Sequence, residues 1–185
     1  MKNIYLESYI DELKKICLEV KEEFSGLNSE QLNWKPGGKS WSIGQCLEHL
    51  IISNSKYFPV MTDIAEGRKD SSFWESIPVL PKVWGKMLIK SVKEDSKKKV
   101  KAPKLFRPSS GIISTSIVND FVNHQNELIK VIIKTEGIEH SMIITSPAAK
   151  MITYSLRDAN TIIVNHERRH LYQAKRVKES IDFPK

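Results

Sequence analysis

The chain has 185 residues, 40% of them hydrophobic and 28% charged, with a formal charge of +7, a balance that fits one folded domain and excludes a disordered chain. Lys and Arg are spread along the sequence, and the one dense run, Lys97 to Lys101, reads as a solvated face, so no nucleic-acid partner is expected. Cys17 and Cys46 are isolated thiols rather than a disulfide framework, acidic residues interrupt the N-terminal MKNIYLESYIDELKK, and no later run approaches about 18 uncharged apolar residues, so a cytoplasmic protein without a membrane partner is expected.

In chain order, Ile10, Leu13, Cys17, Val20 and Phe24 recur at spacings of three and four, predicting a first helix over roughly residues 3 to 24. A second helix is predicted from about Ile43, with Ile43, Leu47, Leu50, Tyr57 and Met61 on its apolar face and Ser42 with Gln45 forming a capping box. The stretch from about Gly67 to Gly111 holds Trp74, Trp84, Pro78, Pro81, Pro103 and Pro108, with a short helix near Trp84 to Lys97. It is too long for a simple loop and reads as a crossover packed on the bundle or a lid. A third helix is predicted from about Ser116 to Lys134, and a fourth after Ser155, where Asp158 completes a second capping box. Ala159, Ile163, His166, His170, Gln173 and Val177 form the inward stripe of that last helix, so Gln173 is expected to face inward. The best strand signal, Ser141 to Thr145, is weak. The fold class is therefore all-α, with a single domain over residues 1–185.

The sharpest chemical signal is His166-Glu167-Arg168-Arg169-His170, because residues four apart on a helix present two imidazoles to one metal ion. Both histidines fall on the core-facing stripe, where an unpartnered imidazole is costly and a metal satisfies two at once. A zinc peptidase of the extended pattern would need a glycine at position 173 and a histidine at position 176, where this chain has Gln173 and Arg176. Glu179 is the downstream glutamate within reach, and no substrate-aligning strand precedes the helix, so the peptidase reading is the weaker one. The third ligand then comes from upstream, and spacing alone leaves His49, His124 and His140 open.

The segments Leu32-Asn33-Trp34-Lys35-Pro36, Trp41-Ser42-Ile43-Gly44-Gln45-Cys46-Leu47-Glu48-His49-Leu50 and His166-Glu167-Arg168-Arg169-His170-Leu171-Tyr172-Gln173 resemble those of the DinB-like (DinB/YfiT) superfamily. The resemblance spans nearly the whole chain. It implies a four-helix bundle of up-down-down-up topology with a long crossover between helices two and three. It also implies His49, His166 and His170 as ligands of one divalent metal ion, with His124 as a neighbour.

Three protein ligands leave coordination positions free, as catalytic sites do, and imidazole suits Zn or Ni, with Mn and Fe also candidates. The family includes bacillithiol-type thiol transferases and metal-dependent hydrolases, so the implied function is hydrolysis, or transfer of a low-molecular-weight thiol to a small electrophile. A non-catalytic metal-binding stress-response module is the alternative, and a homodimer is suggested by the resemblance. Glu167 is the candidate general base, against a solvated charge, and Glu48 beside His49 has the same two readings. Trp41 reads as a helix-entry packing residue or as part of the pocket wall.

Overall fold

The computed structural model describes residues 4–38, 40–93 and 102–185. Four long helices form the bundle: α1 (Ile4–Phe24), α3 (Ile43–Ser55), α6 (Ile117–Ile133) and α7 (Leu156–Lys178). A short α2 (Ser29–Asn33) precedes α3, α4 (Tyr57–Ala65) follows it directly, and α5 (Leu80–Val92) lies in the crossover. A two-stranded antiparallel hairpin, β1 (Ile143–Thr145) with β2 (Thr153–Ser155), leads into α7, its Ile144 opposite Tyr154.

Two apolar clusters fix the direction of each helix. One joins the C-terminal half of α1 (Ile16, Val20, Phe24) to the starts of α3 and α6 and the end of α7. The other joins the start of α1 (Leu6, Leu13) to α4, the end of α6 and the start of α7. Hence α1 and α7 are parallel, α3 and α6 are parallel, and the pairs oppose each other, which is the expected up-down-down-up order. Ion pairs from Glu12 and Glu19 to Arg168, Glu19 to Lys175 and Glu23 to Lys178 bind α1 to α7 in that parallel register.

Two parallel neighbours need a connection that travels back the length of the bundle, and α5 supplies it. Its Gly85 packs on Asp158 near the start of α7, and its last turn meets Arg169 farther along the same helix. The crossover is thus a packed layer.

Four details differ from the sequence reading. The apolar stripe of helix two is divided between α3 and α4, because the ring of Pro59 clashes with the carbonyl of Ser55 and cannot donate a hydrogen bond. α2 is an additional helix, started by a capping box between Asn28 and Gln31. The strand signal at Ser141 to Thr145 is real but pairs locally and leaves the fold all-α. α5 begins earlier than expected, with Pro81 in its first turn, while the end of the expected Trp84 to Lys97 helix and the run Lys97 to Lys101 lie outside the described residues. Among the described residues no helix is long and apolar enough to cross a membrane.

Candidate metal centre

Ser42 and Gln45 close the capping box that starts α3, so the helix enters with Gln45, Glu48 and His49 at spacings of three and four on one face. Across from it, α7 presents His166 and His170 one turn apart. The three histidines are brought together: each offers a ring nitrogen within 4.8 Å of the others, and the Nε2 atoms of His49 and His166 lie 3.1 Å apart. His49 and His170 are buried, at 3% and 8% exposure.

The backbone settles the proton on His49. Its Nδ1 lies 2.5 Å from the carbonyl oxygen of Phe106, an acceptor only, so Nδ1 carries the hydrogen and Nε2 keeps its lone pair toward His166. Burial lowers the pKa of all three rings. His166 is brought down to about 3, helped by repulsion from His49 and Arg169, His170 is held well below its ordinary value, and His49 is lowered despite the opposing Phe106 bond. The rings are therefore neutral and carry unshared lone pairs at physiological pH. His170 Nδ1 is buried without a protein partner. Converging neutral imidazoles with an orphaned nitrogen are the donor set a divalent cation satisfies, so these residues fit such an ion.

Trp41 is half-buried and packs on two of the three rings, with its centroid 4.7 Å from that of His49 and 5.5 Å from that of His170, nearly parallel to the latter. It therefore joins both of its expected roles, closing the helix entry and forming a wall of the centre. Arg169 donates through Nη1 to the carbonyls of Ser91 and Lys93, fastening the end of α5 beside the histidines. Gln173 is half-buried, one turn along α7 from His170.

Glu167 is completely buried, which removes the solvated-charge reading. Its two carboxylate oxygens each accept from an amide, Asn54 Nδ2 and Gln125 Nε2, both at 2.6 Å. Burial raises its pKa to about 8 against the lowering effect of those two bonds. Glu48 accepts the backbone N–H of Ser109 at 2.6 Å. Both glutamates beside the ligands are thus engaged away from the rings, and sequence spacing gave no sign of their partners.

The other two histidines stand apart. His140 bonds the Thr135 carbonyl through Nε2. His124 meets the Ser55 hydroxyl at 3.0 Å and stacks on Phe58, so it is a half-buried packing residue, its pKa lowered to about 4 by desolvation. A histidine held neutral in the fold but free to protonate when unfolded stabilises the fold above the unfolded pKa, and that stability is lost as pH falls from 6.5 toward 4. His124→Phe should flatten this fall by up to one proton, about 1.4 kcal/mol per pH unit. Urea midpoints of the two proteins across that range check it, and parallel curves would contradict the assignment.

Comparison with known proteins places the chain by similarity. The family model described as the DinB superfamily matches residues 19–174. The uncharacterized protein YuaE of Bacillus subtilis (strain 168) is 31% identical over 168 residues, covering 89% of this chain and 94% of that protein. No solved structure matches the chain.

Proposed function

The chain belongs to the DinB superfamily, and from that premise we propose that it is a metal-dependent enzyme transferring a low-molecular-weight thiol to a small electrophile. His49, His166 and His170 hold one divalent ion, Zn or Ni by the preference of imidazole donors. The carrying observation is the joint state of the site: three neutral imidazoles converge, two of them buried and His166 half-buried, while Glu167 and Glu48 are both committed to other partners.

A bound divalent ion supplies the acidity that turns a thiol into thiolate near neutral pH. In the overall reaction RSH and R′–X give RS–R′ and HX: the S–H and C–X bonds break, a C–S bond forms, and X leaves with the electron pair; with an epoxide the C–O bond opens, and its oxygen keeps the electron pair, takes the proton and stays on the product. For this the protein needs a dry, fixed ligand set, and it needs no carboxylate touching the site. The Trp41 face shields two ligand rings from water, and the Phe106 carbonyl fixes the His49 ring. Hydrolysis through activated water is the neighbouring reading and gains most from an adjacent general base. Glu167, expected in that role, is read here as a positioning group because amide donors occupy both of its oxygens.

The test is turnover of the metal-loaded protein on a chloro-aromatic and an epoxide, with and without added thiol, beside ester and phosphoester substrates. Thiol-dependent consumption, absent in His170→Ala, is the expected result. Turnover of the esters without thiol would replace transfer by hydrolysis. Inactivity of the loaded protein on both panels would favour a non-catalytic binding module.

A further inference from the structure

We propose that Glu48, seconded by Gln45, is a positioning residue that sets the proton of His49 through the backbone of residues 106–109. The proposal rests on reading His49 as a metal ligand, but its central claim concerns the ring itself.

Gln45, Glu48 and His49 lie on one face of α3 and all reach the same stretch of chain. Gln45 Nε2 donates to the Ser109 carbonyl at 2.8 Å, Glu48 Oε2 accepts the Ser109 N–H at 2.6 Å, and His49 Nδ1 donates to the Phe106 carbonyl. Both backbone groups of Ser109 are thus gripped by α3, three residues from the carbonyl that holds the ring. The far end is pinned as well. Asn33 bonds both backbone groups of Ile113, at 2.7 and 2.9 Å, and Gly44 lets the Ile113 side chain approach so closely that a Cβ there would stand 3.0 Å from it.

The grip has a chemical consequence. An imidazole can carry its hydrogen on either nitrogen, and only the form with Nδ1–H leaves Nε2 free toward His166 and a cation. The carbonyl of Phe106 selects that form, and the carbonyl stays in place because Glu48 and Gln45 hold the segment that bears it. Partners that orient a ligand histidine commonly contribute about 10–100-fold to metal affinity. Here that contribution is relayed through the main chain by residues that touch neither ring nor ion.

The test compares wild type with Glu48→Ala, Glu48→Gln and Ser109→Ala. Imidazole nitrogen shifts of the metal-free proteins report the His49 tautomer, and zinc affinity is measured by chelator competition. In wild type, Ser109→Ala and Glu48→Gln, His49 should carry its hydrogen on Nδ1, since the alanine keeps the backbone N–H and the glutamine keeps an acceptor. Glu48→Ala should show mixed tautomers and bind zinc about 10–100-fold more weakly. A merely structural Glu48 would lower the unfolding midpoint in Glu48→Ala while leaving the shifts and affinity at wild-type values, and that overturns the proposal. Should wild type bind no zinc, the ligand reading fails, and the tautomer pattern still decides whether the relay exists.

Discussion

His166→Ala is expected to abolish near-stoichiometric metal in the purified, reconstituted protein. Losing one of three imidazoles removes a bond to the ion itself, so affinity should fall by more than the roughly 10–100-fold that outer partners contribute. His49→Ala and His170→Ala should behave alike, because all three rings offer nitrogens within the same 4.8 Å cluster. His124→Ala should keep its metal, since His124 is occupied by Ser55 and Phe58. Stability gives a second reading. A cation held only by the native state stabilises it by about 2.7 kcal/mol at a hundred times Kd, roughly 5–10 °C in Tm for a chain of this size. Elemental analysis and thermal scans with added zinc measure both, and a zinc shift that persists in His166→Ala would refute the triad.

Glu167→Ala should be among the most destabilising single substitutions in the chain. It leaves the buried amide of Asn54 without its acceptor and that of Gln125 with the Leu13 carbonyl alone, at about 1–3 kcal/mol for each lost bond, and opens a cavity between α1, α3, α6 and α7. The two lost bonds together, roughly 2–6 kcal/mol before the cavity is counted, are a large share of the stability of an ordinary domain. Glu167→Gln keeps one acceptor and should cost less. Guanidinium unfolding of the metal-free proteins separates this loss from any effect on the ion. A penalty below about 1 kcal/mol for the alanine variant would show that the amides find other partners.

The long helices were legible because each buries one face, and burial prints itself on sequence at spacings of three and four. The same rule placed His166 and His170 on the stripe of α7. It failed for Glu167, which lies about 100° around the helix from His166 and was open to two readings, general base or solvated charge, because its amide partners come from α3 and α6 and no local pattern brings them together. The division between α3 and α4 was written in Pro59, one turn beyond Ser55, but the apolar stripe continues across the break and hid it. The choice of His49 over His124 was not legible from periodicity, since both lie on helices beside apolar lines, and it came from the family resemblance. Phe106 contributes a main-chain carbonyl, which no side-chain pattern announces.

The ligands also bear on how the chain reaches its native state. His49 and His166 are 117 residues apart, with the crossover, α6 and the hairpin between them. The centre therefore exists only in chains that have closed a loop of that length. A cation held there acts as a removable cross-link on that closure, withdrawing conformational entropy from partly folded chains much as a covalent bridge would. A packing defect at the far end of α1 would therefore lower the apparent affinity for such an ion once it is severe enough to populate unfolded chains.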